Sequence, residues 1–191
     1  MTFAIIVITG CAELSDYFSV KRGQLVGQAF EVSAYDHYAN KTLTVEGTKI
    51  TVGLLENRAN FSEETTGFKS EVLEITVNGN QMFQVGNTLI FAEHGLDMVE
   101  DYDIPSNVMV DSGGGFVPSD RFVNDIKNRI GKEKTIIVSS QMGIPIGVYQ
   151  GSDVYVTIPE NLPKMTRINI DGKSLYIHRA NYVILDSNMI K

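Results

Sequence analysis

The sequence has little material for disulfide or metal architecture. Of its 191 residues one is cysteine, Cys11, and there is no tryptophan. A single thiol excludes an intramolecular disulfide. The three histidines, His37, His94 and His178, stand far apart, and none forms a paired spacing such as H-x-x-x-H. A zinc site would have to gather them from separate elements together with carboxylates. We read all three as turn or surface residues and expect no metal and no cofactor. Positive charge is scarce as well: 16 Lys and Arg stand against 23 Asp and Glu, a net charge of −7. A duplex-binding protein presents a basic stripe to the phosphates. The densest basic stretch, Lys127, Arg129, Lys132 and Lys134, is broken by Glu133. It reads as a helix end, where the dipole favours cations. Nucleic acid is therefore not an expected partner. No apolar run reaches the roughly 18–20 residues that span a bilayer as a helix.

Motifs that would carry catalysis are also missing. Ser112-Gly113-Gly114-Gly115 precedes a helical pattern but lacks the lysine and hydroxyl of a phosphate loop, so it reads as a connector. The acidic stretch 93–103, with Glu93, Asp97, Glu100, Asp101 and Asp103, lacks the ligand spacing and central glycine of an EF-hand and reads as a solvated loop. There is no G-x-S-x-G elbow. Ser139-Ser140 ends an apolar segment, and nothing in the sequence places His178 or Asp186 beside it. No catalytic residue is expected.

The first eleven residues carry a signal of another kind. Met1 to Ile8 reads MTFAIIVI, apolar and uncharged, and polarity rises at once after Cys11 with Glu13, Ser15 and Asp16. The run is too short to span a bilayer and suits the h-region of a signal peptide. Ile8-Thr9-Gly10-Cys11 resembles a bacterial lipobox. The Cys11 sulfur would be the nucleophile that accepts a diacylglyceryl group. Gly10, without a side chain, would let a signal peptidase close on the bond before Cys11. Two acyl chains hold a protein at a membrane where one is marginal, because each buried CH₂ contributes about 0.8 kcal/mol. No Lys or Arg precedes the apolar run, as a positive n-region would require, which is expected if the precursor starts further upstream. The competing reading makes 3–9 a buried first strand of a dinucleotide fold. That reading needs G-x-G-x-x-G, and the residues after Gly10 supply no second or third glycine.

Beyond a polar tether over 11–24, period-two alternation of β-branched residues dominates, as in half-buried strands. Strands are predicted over 29–35, 42–46, 49–54, 72–77, 81–85 and 88–92. Further strands are predicted over 135–139, 145–149, 154–158, 166–170, 174–178 and 182–185. Asn78-Gly79 and Asp171-Gly172 are strong hairpin turns, since both residue types tolerate positive φ. Glu46-Gly47, Val85-Gly86-Asn87 and Gln150-Gly151-Ser152 are weaker turn signals. One amphipathic helix is predicted over 119–130. Phe122, Val123, Ile126 and Ile130 fall on one face, Ser119 suits the N-cap and Gly131 the C-cap. Short strands at regular spacing point to a mainly β fold, an antiparallel sandwich or barrel carrying that helix. A domain over 25–191 is expected, either undivided or split near 112–116. We find no internal repeat. A chain of this size buries roughly 70% of its unfolded surface and needs no staples. Aromatics cluster at Tyr17-Phe18, at Tyr35 and Tyr38, and at Tyr176 and Tyr182. On strands these read as core or cross-strand pairs, with a carbohydrate or peptide platform as the alternative.

The segments SEVLEITVNGNQMFQVGNTLIF, KTIIVSSQMGIPIGVYQG and LPKMTRINIDGKSLYIHRANY resemble a family of uncharacterised lipoproteins of Gram-positive bacteria, a domain of unknown function. The resemblance runs from Cys11 onward. It implies lipidation at Cys11 and a location on the outer face of the cell membrane, and it brings no catalytic residue. Taken together, the sequence predicts a lipid-anchored, non-catalytic binding domain. Its partners would be the membrane, through the anchor, and a surface protein, peptide or envelope polymer. An envelope hydrolase with an unmarked site and a solute-binding lipoprotein are the alternatives.

Overall fold

The computed structural model describes residues 25, 28–55, 71–99, 133–159 and 161–189. Gly10 and Cys11, the tether, the Gly-rich connector and the helix expected over 119–130 lie outside the described residues. Twelve strands form within them: β1 (Phe30–Tyr35), β2 (Lys41–Gly47), β3 (Ile50–Leu54), β4 (Leu73–Val77), β5 (Asn80–Gln84), β6 (Thr88–Glu93), β7 (Lys134–Ser139), β8 (Pro145–Gly151), β9 (Val154–Thr157), β10 (Met165–Ile170), β11 (Lys173–His178) and β12 (Asn181–Asp186). Each predicted strand matches one of these to within one or two residues at its ends. The reason is visible in β4, where Leu73, Ile75 and Val77 face inward and Glu74 and Thr76 are half-exposed. The helical element among the described residues is a short 3-10 turn, Ser187–Met189.

The strands form three open antiparallel sheets, with no closed barrel among the described residues. The largest has the order β2-β1-β6-β11-β10-β9, and the two smaller ones are β3-β4-β5 and β12-β7-β8. The central sheet is covered on both faces. Phe30, Val32 and Phe91 of one face share a core with Ile50, Val52 and Ile75 of β3 and β4. Ile90, Ile168 and Ile177 of the other face share a core with Ile136, Val138 and Tyr149 of β7 and β8. Each fully buried side chain of this kind contributes about 1.5–3 kcal/mol of transfer free energy.

Two corners prevent a barrel from closing. β2 and β3, and likewise β8 and β9, are joined by two residues yet enter different sheets. The weak turn signals at Glu46-Gly47 and Gln150-Gly151-Ser152 thus mark corners, not hairpins. Gly47 and Gly151 are buried there, and a Cβ on either would collide with Val77 Cγ1 or Ile170 Cγ2. Each corner is fastened by the first residue of a nearby hairpin turn. Asn78 Oδ1 accepts from the backbone N–H of Thr48 and Lys49, both at 3.0 Å. Asp171 Oδ1 accepts from those of Ser152 at 2.9 Å and Asp153 at 2.7 Å. Asn78-Gly79 (φ 49° and 87°) and Asp171-Gly172 (φ 50° and 82°) have the positive φ pair of a type I′ turn, as expected. Val85-Gly86-Asn87 joins β5 and β6, which again lie in different sheets.

These matched corners belong to a duplication, which overturns the expectation of no internal repeat. β1–β6 and β7–β12 repeat one unit. In the first, β2-β1-β6 sits on β3-β4-β5; in the second, β8-β7-β12 sits on β9-β10-β11. The registers agree. Phe30 opposes Gly47 and Lys134 opposes Gly151, and each pair of strands shifts register at its far end, at Ala34/Tyr35 and Val138/Ser139. Ile50 opposes Val77, and Val154 opposes Ile170. The cores are equivalent too: Val32 with Ile136, Val52 with Val156, Ile75 with Ile168, Val77 with Ile170, all buried. The two units are fused edge to edge by β6 and β11, with Leu89 opposite His178 and Phe91 opposite Tyr176. Strands from both sides of the Gly-rich connector therefore share one sheet. Matched positions keep polarity and shape more than identity, and Gly47/Gly151 and Gly79/Gly172 are among the few that keep the residue. A comparison of residue types alone passes over such a repeat.

Candidate functional site

Where β11 ends and the chain crosses to β12, the backbone is forced into an unusual shape. Arg179 has φ 55°, and Lys164, just before β10, has φ 62°. Long side chains rarely adopt this region, and each such residue costs on the order of 1–3 kcal/mol. In the first repeat the place of Arg179 is taken by Gly86, with φ 91°, which carries no such penalty. The two strained residues are joined, since Arg179 N–H donates to Lys164 O at 3.1 Å. Their side chains converge on one carboxylate from the first repeat. Lys164 Nζ lies 2.9 Å from Glu71 Oε1, and Arg179 Nη2 lies 3.0 Å from Glu71 Oε2. The hydrogen bond and charge of Lys164, then the charge of Arg179, hold the Glu71 carboxyl below the usual range. The arrangement is two cations on one anion, in a protein whose net charge is −7.

Beside this ion group lies an open cleft of about 600 Å³. Lys164 and Arg179 supply its charge, Ile158, Met165 and Ala180 its apolar wall, and Thr166, Gln141 and Asn181 its neutral polar groups. The amide donors are already committed: Gln141 Nε2 donates to Gly86 O at 2.6 Å and Asn181 Nδ2 to Ser140 O at 3.0 Å. Tyr182 O–H donates to Thr166 Oγ1 at 3.3 Å at the edge of the cleft. Among the described residues the lining holds no carboxylate, imidazole or thiol; those residues present shape, positive charge and hydrogen-bond acceptors but no acid–base pair.

Behind Arg179 sits His178, 4% exposed on β11. This corrects its reading as a turn or surface residue. Inward alternation on β11 places it on the same face as the buried Tyr176 and Ser174. Its Nδ1 has no hydrogen-bond partner. Burial, then the charges of Arg179 and Lys164, push its pKa down to about 4. His37 and His94 are exposed, as expected, and no group of three His, Cys, Asp or Glu among the described residues can hold a metal. Arg167 is a second buried polar group that alternation does not flag. Its guanidinium donates to Ser174 Oγ and lies 5.9 Å from the Tyr176 ring centroid.

The remaining sequence candidates are structural. Ser140 is buried, and its hydroxyl donates to His37 O at 2.7 Å and accepts from Ile144 N–H, bracing the β7–β8 turn. Asp186 is ion-paired with Lys134. Glu93, from the acidic stretch, accepts from the N–H groups of Gln28 and Ser174, and residues 100–103 lie outside the described residues. The aromatic clusters are divided: Tyr35 and Tyr176 are core, Tyr38 and Tyr182 are exposed, and Tyr17-Phe18 lies outside the described residues. Only convergence in space could have revealed the cleft, because its residues come from three separate connections, β7–β8, β9–β10 and β11–β12, and the strand ends beside them. No helix of the described residues is long and apolar enough to cross a membrane.

No curated protein and no solved structure matches the chain. A family model does, over residues 1–190, a span that takes in the apolar N-terminal run, both six-stranded repeats and the cleft in the second of them. The chain therefore belongs to the family described as Domain of unknown function (DUF5052).

Proposed function

We propose that the protein is a bacterial lipoprotein, fixed by acyl chains on Cys11 to the outer face of the cell membrane, whose β domain binds a partner without turning it over. The observation that carries this reading is Ile8-Thr9-Gly10-Cys11 at the end of a short apolar run. The tether from 11 to 24 separates that anchor from the β domain. The binding half of the reading is supported by the cleft. It is open to solvent, its cations are already paired to Glu71, and no nucleophile–base pair lines it among the described residues. Exposed strand edges and polar corners suit contact with a surface protein, a peptide or an envelope polymer.

Intact mass of the membrane-extracted protein tests the anchor. The expected result is loss of residues 1–10 and added mass for a diacylglyceryl group on Cys11. A chain recovered from the aqueous fraction with residues 1–10 and a free thiol would refute it. Retention of an envelope component by the protein, lost when Lys164 and Arg179 are both changed to glutamine, tests the binding role.

A further inference from the structure

Among the described residues the duplication has an unused half. At the junction inside the chain, β6 of the first repeat accepts β11 of the second along its edge. The counterpart of β6 is β12, and the counterpart of β11 is β5. Among the described strands both are sheet edges. We propose that the protein associates head to tail, the β12 edge of one copy taking the β5 edge of a second copy in the register of the internal junction. This names one partner for the binding surface proposed above and rests on that surface being used for contact, not on the lipid anchor.

Burial supports the match position by position. Leu89, Ile90 and Phe91 of β6 pair with β11, pack into the two cores and are at most 1% exposed. Their counterparts on β12 are Tyr182, 37% exposed, Val183, 49% exposed, and the half-buried Ile184. Tyr176 and His178 of β11 are buried at the junction, whereas their counterparts on β5 and just after it, Phe83 and Val85, are 55% and 58% exposed. Four of the large exposed apolar residues thus sit at the two places the duplication would cover. Transferring the junction register opposes Met82 to Leu185, Phe83 to Ile184, Gln84 to Val183 and Val85 to Tyr182. Three of these four pairs are apolar, and unpaired edges with apolar side chains are ready templates for strand addition.

The cleft fits the same scheme. In the first repeat, Leu162, Met165 and Tyr176 of the second repeat complete the core. Leu73 packs in that core, and Thr88 donates to Arg179 O at 2.7 Å; each is 0% exposed. The counterparts of Leu73 and Thr88 are Thr166 and Asn181, which line the open cleft. Charge is complementary as well. Glu71 and Lys164 are counterparts that already meet at the internal junction, and the same placement sets Glu71 of an incoming copy toward Lys164. Such a contact uses two different surfaces and does not close after two copies, so it builds a ring or an open row. Tethering in one membrane plane raises the effective concentration for it.

The test uses the full-length chain carrying Cys11→Ser, in sedimentation velocity over a concentration series. The parent should gain mass above 21.1 kDa as concentration rises. Phe83→Lys blocks the β5 edge and Val183→Lys the β12 edge, so each variant alone should remain monomeric. An equimolar mixture of the two keeps one open edge of each kind and should give a dimer that grows no further. In the same background, Gln84→Cys mixed with Val183→Cys should cross-link in the mixture and far less in either variant alone. A parent that stays monomeric at its highest soluble concentration overturns the inference, as do single variants that still associate or a mixture that does not. A monomeric chain that nonetheless retains an envelope component through the cleft sinks the second-copy partner alone and leaves the binding role standing.

Discussion

Acidification should weaken this fold through one imidazole. His178 is buried, its Nδ1 lacks a partner, and Arg179 and Lys164 stand near enough to disfavour a further positive charge. Its pKa falls from the ordinary 6.5 to about 4 in the folded chain. The unfolded chain takes up a proton below about 6.5, whereas the folded one stays neutral until about 4. The unfolded state therefore binds more protons in that window, so the contribution is fully present above pH 6.5 and is lost as pH falls toward 4. At 1.36 kcal/mol for each unit, the loss is on the order of 3 kcal/mol. That is a large part of the roughly 5–15 kcal/mol by which domains are stable. The assay is urea unfolding at pH 7.5, 6.5, 5.5 and 4.5 for the native chain and for His178→Leu. Carboxylates such as Glu71 titrate in both proteins, so the difference between the two isolates the imidazole. The native chain should lose stability relative to the variant as pH falls. Parallel curves over the whole range would refute the reasoning.

Gly47→Ala and Gly151→Ala should each destabilise by about 1–3 kcal/mol, because the new methyl meets buried side chains at a corner. Gly53→Ala, with open space around the site, should fall within about 0.5 kcal/mol of the parent in the same thermal melts. Asn78→Ala removes the acceptor of two backbone donors and leaves alanine at φ 49°. A cost of about 1–3 kcal/mol in urea unfolding is expected, with Asn78→Asp close to the parent. Ile75→Ala, at a position fully closed to solvent, should cost about 2–5 kcal/mol by the same measurement.

The strands were legible because alternation is a local property. Leu73, Ile75 and Val77 announce an inward face wherever β4 is placed, and Asn78-Gly79 announces the turn after it. The corners were half legible. Glu46-Gly47 and Gln150-Gly151-Ser152 read as breaks, but a two-residue break has the same sequence signal whether it turns within a sheet or leaves it. His178 was misread because a histidine on an alternating strand carries no mark of which side is covered. The cleft was not legible at all. Lys164, Arg179 and Glu71 are ordinary charged residues until the fold brings them together.

Local chain chemistry by itself determined the mainly β character, the strand boundaries, the two type I′ turns and the apolar run ending in Cys11. Each depends on residues that are neighbours along the chain. Which strands share a sheet, the pairing of β6 with β11, the duplicated unit and the burial of His178 were decided only in three dimensions. Pairing between distant strands depends on complementary faces and edges, and those surfaces do not exist until the chain has folded.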